Sequence, residues 1–227
     1  MKILALDTAT EACSAALLID GEVRERFEIA PRAHARLVLP MLDGLLAEAG
    51  LKPTQLDAIA FGRGPGSFTG VRIAASVAQG IAFAAELPVL PVSTLAALAR
   101  DALQRTSTAQ VFAAIDARMG EIYWAAYVRD AQGEPQALTE EQVAPANAVT
   151  VPAGTDWFGI GTGWGEYEQA LRVHFGATLH GVDATALPRA AHIVRLAAID
   201  FLAGRAVVAE QAQPVYLRNQ VVHKPAR

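Results

Sequence analysis

Residues 56–73 read Leu56-Asp57-Ala58-Ile59-Ala60-Phe61-Gly62-Arg63-Gly64-Pro65-Gly66-Ser67-Phe68-Thr69-Gly70-Val71-Arg72-Ile73. The apolar run over 56–61 predicts a strand, Gly62 to Gly66 a tight turn, and the apolar periodicity over 69–85 a helix. Strands followed by helices make the pattern of an α/β sheet. The unit recurs at once, with a strand over 88–92 running into a helix over 94–104.

Upstream, residues 3–7, 13–19 and 22–29 predict three strands in antiparallel succession. Asp20-Gly21 makes the hairpin turn into the third, where Glu22, Arg24, Arg26 and Glu28 recur at period two, as on a half-exposed strand. From His34 the period changes to that of a helix over 34–49. Leu37, Val38, Met41, Leu42, Leu45, Leu46 and Ala49 recur at i, i+3, i+4, i+7, and Gly50 stands at the C-cap. Pro40 lacks an amide donor and predicts a kink.

The second half opens like the first. Phe112-Ala113-Ala114-Ile115-Asp116 follows the outline of Leu4-Ala5-Leu6-Asp7, and residues 122–128 follow 13–19, with the alanine pairs Ala15-Ala16 and Ala125-Ala126. Two lobes related by duplication, 1–106 and 107–227, are the expectation; two unrelated hairpins are the alternative. Residues 134–156, rich in Pro, Ala, Thr and Gly, predict irregular connection, followed by a strand over 157–161 and helices over 165–175 and 189–203. Pro214-Val215-Tyr216-Leu217-Arg218 reads as a short strand or extended docking segment, with the tail returning to the first lobe.

Composition bounds the function. The chain has 227 residues, 52% hydrophobic and 19% charged, enough for a sizeable core in one domain or two small ones. A net charge of −4 excludes a basic nucleic-acid clamp, since affinity for a polyphosphate comes mainly from Lys and Arg displacing counterions. One cysteine, Cys13, reads as core on its strand and cannot make an internal disulfide; Asp7 and Glu11 break the first apolar run too early for a secretory leader. The expected compartment is therefore cytoplasmic. The apolar run 73–85, bounded by Arg72 and Glu86, falls short of the ~20 residues that span a bilayer, so no membrane association is expected.

Several features bear on chemistry. The glycine run opens a helix, where free amides and the helix dipole favour an anion. It lacks the Lys-Ser/Thr ending of a P-loop, however, and Ser67 stands where the G-x-G-x-x-G fingerprint has its third glycine. Nor is Ser67 a nucleophile elbow, because Pro65 and Thr69 replace the flanking glycines. The alternative is a plain strand-to-helix turn. Asp7 and Asp116 each begin a turn after an apolar strand, where a phosphate-handling enzyme would place a Mg²⁺-coordinating carboxylate. The alternative is that each accepts hydrogen bonds from its own turn. No two of the five histidines are spaced i, i+4 on a predicted helix, so no helical metal pair is legible.

Helix 69–85 is apolar nearly all round and rich in alanine. It reads either as a central buried helix or as a surface for another protein, with helix 34–49 beside it. The interface reading takes His34, Leu37, Val38, Met41 and Leu45 from the first helix and Val71, Ala74, Ala75, Ala78 and Ala82 from the second.

Gly64-Pro65-Gly66-Ser67-Phe68-Thr69-Gly70-Val71-Arg72-Ile73, with residues 3–10 and Ile115-Asp116-Ala117-Arg118, resembles the TsaB (YeaZ) family. The likeness extends over nearly the whole chain, through Pro40-Met41-Leu42, Glu121-Ile122-Tyr123 and residues 214–218. It implies an α/β, duplicated actin-like ATPase fold of the ASKHA, ribonuclease H-like class, with two lobes. It also implies a part in making threonylcarbamoyladenosine at position 37 of tRNAs that read codons beginning with A. In that family the subunit is a non-catalytic partner of TsaD, which carries the metal and transfers the group from threonylcarbamoyl-AMP. TsaE, a small ATPase, joins the complex, tRNA is held mainly through the complex, and the subunit alone is expected to form a homodimer.

The catalytic relatives carry a His-x-x-x-His metal pair after the fifth strand, whereas Val92-Ser93-Thr94-Leu95-Ala96-Ala97-Leu98 holds no histidine. The resemblance thus implies no metal here. Nucleotide-binding members hold adenosine with a glycine pair in the second lobe, here within Gly159-Ile160-Gly161-Thr162-Gly163. Asp7, Thr8, Asp116 and Gly161 become vestigial nucleotide-site residues, with no tightly bound cofactor and at most weak ATP or ADP binding at the partner interface. The rival expectation is an independent ATPase using Asp7 and Asp116, or a metal-dependent peptidase of the same fold. An enzyme must lower its barrier by roughly 8–23 kcal/mol, and no preorganised nucleophile, base and electrophile is legible.

Overall fold

The computed structural model describes residues 1–218. In the first lobe β1 (Lys2–Asp7), β2 (Ala12–Ile19) and β3 (Glu22–Ile29) run antiparallel, and β4 (Ala58–Gly64) and β5 (Val89–Ser93) extend the sheet in parallel from β1, in the order β3-β2-β1-β4-β5. β1 is buried on both faces, which is why it reads as an unbroken apolar run. Its alternate residues serve different cores. Leu4 and Leu6 pack under α1 (His34–Ala49) and α2 (Phe68–Ala85), while Ile3 and Ala5 face the opposite layer. α1 is unbroken at Pro40, whose side lies exposed to solvent.

The second sheet repeats the plan. β6 (Gln110–Arg118) and β7 (Glu121–Arg129) are antiparallel, and β10 (Trp157–Ile160) and β11 (Leu179–Asp183) run parallel to β6. Two short strands on β7, β8 (Pro135–Ala137) and β9 (Gln142–Pro145), stand where the first lobe has β3. The segment 134–156 is therefore sheet edge rather than plain connection. Prolines at its strand ends hide it, since proline is confined to such edges. β11 also escapes the sequence reading, being short and interrupted by Gly181.

The lobes exchange their last helices. α3 (Thr94–Arg105) follows β5 but packs Leu95, Leu98 and Leu103 against Val111, Ala113 and Ile160 of the second sheet. α4 (Thr162–Phe175) covers the other face of that sheet around Phe112, Trp124 and Trp164. α5 (Ala190–Leu202) follows β11 but lays Ile193, Val194 and Ala197 on Ile3, Ala5 and Leu18 of the first sheet. The expected division at 106/107 separates the two sheets but not the two cores. First-lobe side chains cap α5: Ser14 Oγ accepts the Ala190 amide at 2.9 Å, and Glu25 accepts the Ala191 amide at 2.9 Å and Arg189 Nε at 2.9 Å. These acceptors satisfy helix-end donors that would otherwise be orphaned, and Glu25 complements the dipole.

Beyond α5 the chain runs back along α2. Gln79 Nε2 donates to the Ala212 carbonyl at 3.0 Å, and the Val215 amide donates to the Arg63 carbonyl of β4 at 2.8 Å. α2 is long and apolar enough, by length and composition, to cross a bilayer. One of its faces nevertheless packs into the first core through Ala74, Ala78 and Ala82, and the opposite face carries Arg72.

Candidate docking face and interlobe cleft

The glycine run is shaped by the turn it packs on. Ser67 caps α2, its Oγ accepting the Gly70 amide at 3.4 Å. The Ser67 amide donates to the Ala9 carbonyl at 2.7 Å, and Thr8 Oγ1 donates to the Gly70 carbonyl at 2.6 Å. A Cβ at Gly66 would stand 2.4 Å from the Ala9 carbonyl oxygen, and one at Gly70 would stand 1.9 Å from that of Thr8. The glycines thus let α2 sit against residues 8 and 9.

Asp7 lies beneath this contact and is fully buried. Its Oδ1 accepts the Ala9 amide at 3.0 Å, as the own-turn reading expects, while Oδ2 has no hydrogen-bond partner. Burial pushes the carboxyl up to about 7, against the lowering effect of the Ala9 amide. A Cβ at Gly62 would fall 1.7 Å from Asp7 Oδ2. The first turn therefore does not fit the phosphates of a nucleotide or their Mg²⁺, because the chain's own backbone fills the approach.

Asp116, in contrast, lines a cleft of ≈770 Å³ between the lobes. Its Oδ1 accepts the Arg118 amide at 2.7 Å and the Tyr167 hydroxyl at 3.3 Å, and its Oδ2 pairs with Arg118 Nη1 at 2.9 Å. Arg118 also crosses the cleft to Glu11 at 3.1 Å. Arg63 of β4 also joins the two lobes, in a two-pronged pair with Glu141 at 2.8 and 3.1 Å. Gly161, at φ +102°, is the N-cap of α4, and a Cβ there would meet the Ala114 carbonyl oxygen at 2.4 Å. Of Asp7, Thr8, Asp116 and Gly161, only Asp116 lines the cleft. Among the described residues no three His, Cys, Asp or Glu side chains converge as a metal site requires; His223 lies outside them.

The interface residues drawn from helix periodicity need correction. Val38, Met41, Leu45, Val71, Ala74, Ala75, Ala78 and Ala82 are buried within the first lobe. His34 is buried too, with Nε2 3.2 Å from the Ala12 carbonyl oxygen, and Leu37 is half-buried. Alanines on this stripe bring α2 close to its own sheet, so the small side chains serve the core. The outward stripe is Thr69, Arg72, Ser76, Gly80 and Phe83, the last 74% exposed. Beside it, a groove of ≈460 Å³ runs between Ala35 of α1 and Arg72, Ile73, Ser76 and Val77 of α2. A Cβ at Gly80 would meet nothing within 4 Å, so the fold does not need this glycine, which costs a helix roughly 1 kcal/mol relative to alanine. The sequence carried the signal for the outward face: Thr69, Arg72 and Ser76 fall on one stripe, and that stripe faces water.

Comparison with known proteins accords with this architecture. The family model described as TsaD, tRNA N6-adenosine threonylcarbamoyltransferase, matches residues 27–224. The tRNA threonylcarbamoyladenosine biosynthesis protein TsaB of Escherichia coli K12 is 44% identical, over 99% of this chain and 97% of its own. Its namesake from Haemophilus influenzae is also 44% identical, over 99% of this chain and 96% of its own. A solved structure titled YeaZ from Pseudomonas aeruginosa superposes with a TM-score of 0.89 at 50% identity, covering 95% of this chain and 99% of that one. With this pairing of sheets and these relatives, the chain belongs to the TsaD-type domain family and, within it, to the TsaB (YeaZ) family of tRNA threonylcarbamoyladenosine biosynthesis proteins, on a duplicated actin-like fold.

Proposed function

We propose that this chain is a non-catalytic, cytoplasmic scaffold subunit that docks onto TsaD and supports threonylcarbamoyl transfer to adenosine 37 of tRNAs reading codons that begin with A. The carrying observation is the outward face of α2, where Ser76 and Gly80 lie beside an apolar groove and Phe83 stands in water. A helix can approach closely only where side chains are small, and Gly80 has no role within its own chain. The match of the TsaD family model to most of this chain supports that choice of partner, because a partner built on the same fold presents the matching pair of helices. Alone, the same face pairs with a second copy.

The non-catalytic reading is supported by what the reactive residues already do. Asp7 is sealed, Asp116 is paired with Arg118, and Ser67 caps a helix. The filled first turn also supports the absence of a tightly bound nucleotide, with weak ATP or ADP contact confined to the partner interface. TsaE joins the complex, and the net charge of −4 leaves most tRNA contact to the complex.

The test is to reconstitute tRNA modification with TsaD and TsaE, with and without this chain, and with Ser76→Glu. Modification should require the chain and fail with the variant, which should stay folded but no longer bind TsaD. Equal modification without the chain, or normal TsaD binding by Ser76→Glu, would overturn the proposal.

A further inference from the structure

The last described residues do more than close the chain. Residues 214–218 cross from β4 of the first lobe to β7 of the second. The Val215 amide holds the Arg63 carbonyl at one end, and Arg218 Nη2 donates to Glu121 Oε2 at the other. Midway, Tyr216 meets the start of α2. Arg72 Nε donates to the Tyr216 hydroxyl at 2.9 Å, and the Arg72 guanidinium lies 3.5 Å over the Phe68 ring. The Phe68 and Tyr216 rings stand 5.8 Å apart. This stack joins two separate spaces, because Phe68 lines both the interlobe cleft and the α1/α2 groove, Tyr216 lines the cleft, and Arg72 lines the groove.

We propose that residues 214–218 form a strap that positions Phe68 and Arg72 for docking, so that docking in the groove senses the spacing of the two lobes. The inference rests on the docking reading above and adds the regulation of that site. An arginine side chain on a helix surface ordinarily samples many rotamers, and ordering it opposes binding. Here the hydroxyl and two aromatic faces hold Arg72 in one place before any partner arrives. The far anchor matters because Glu121 belongs to the other lobe. If β7 moves relative to β4, the strap must shift with it, and Tyr216 carries the change to Phe68 and Arg72. Linkage makes the effect reciprocal: a partner seated on Phe68 and Arg72 stabilises the strap and its hold on Glu121.

The experiment measures the affinity of the full chain for full-length TsaD by calorimetry, together with hydrogen exchange at the Val215 amide. Arg218→Ala and Glu121→Ala are the decisive variants, since neither residue lines the groove. Each should weaken docking about tenfold, with the double variant no weaker than either single one. Tyr216→Phe keeps the ring and loses only the hydroxyl, and should weaken docking less than either. In the wild-type protein, partner binding should slow exchange at Val215. Wild-type affinity in Arg218→Ala and Glu121→Ala, with exchange at Val215 unaffected by the partner, would overturn the strap and leave the docking reading standing. Additive losses in the double variant would overturn the shared anchor. Absence of binding by the wild-type chain would overturn the docking reading and this inference with it.

Discussion

Thr8 donates its hydroxyl to the carbonyl of Gly70 at 2.6 Å, so the first turn of the chain is bolted to the first turn of α2. The glycine at 70 is there because nothing larger fits under Thr8. Gly70→Ala would place a methyl 1.9 Å from the Thr8 carbonyl oxygen and force backbone to move. We expect it to cost more than about 3 kcal/mol. Thr8→Val should cost about 0.5–1.5 kcal/mol, the net worth of one hydrogen bond, since the Gly70 carbonyl keeps its place in the α2 ladder. Thermal unfolding of both variants checks the order.

Two neighbouring substitutions on α2 should separate folding from docking. Ala78 is wholly buried, so Ala78→Glu puts a charge into the core and should destabilise by several kcal/mol. Ser76 is exposed, and Ser76→Glu should leave stability within about 0.5 kcal/mol while abolishing association with TsaD. Melting curves and calorimetric titration, run side by side, read the two effects.

Gly80→Ala should act in opposite directions on the free chain and on its complexes. The added methyl meets nothing in the monomer, so the helix gains about 0.5–1 kcal/mol. The same methyl stands where a partner helix approaches, so affinity for TsaD and self-association should both fall. A variant equally good at docking would relieve Gly80 of that role.

Asp7 should make stability fall as pH rises from 3.8 to about 7. Its carboxyl is raised from 3.8 to about 7 in the folded chain, so between those values the folded state keeps a proton that the unfolded state releases. The group's contribution is full below pH 3.8 and is lost as pH rises through about 7. Asp7→Asn cannot ionise and keeps an oxygen for the Ala9 amide. Its melting temperature relative to wild type should therefore rise as pH climbs from 3.8 to about 7, by the equivalent of a few kcal/mol, and level off above that. A constant difference would contradict the desolvation of Oδ2.

Most of the first lobe was legible because its strands are continuous apolar runs and its helices have clean periodicity. The turn at 62–66 and the caps at Ser67 and Gly50 were local signals. The repeat of Leu4-Ala5-Leu6-Asp7 at residues 112–116 likewise announced the second sheet. β8, β9 and β11 were not legible, since strands of three to five residues carry too few side chains to display an alternation. The exposed stripe of α2 was not legible for a different reason. On a helix apolar all round, periodicity gives two stripes, and only the sheet beneath decides that Ala78 points in and Ser76 out. Asp7 and Asp116 looked equivalent in sequence. Packing of Gly62 over one and a cleft beside the other set them apart.

The exchange of α3 and α5 between lobes also fixes an order of assembly. All five strands of the first sheet have been synthesised once Ser93 is made, and α1 and α2 are then available to cover one face. The other face, with Ile3, Ala5, Ala16 and Leu18, is covered only when residues 190–202 arrive. At ~5–20 residues per second, that interval lasts about 5–20 s. Through it a nascent chain carries a sheet with one greasy side uncovered, and folding of its first half waits on synthesis of its last helix.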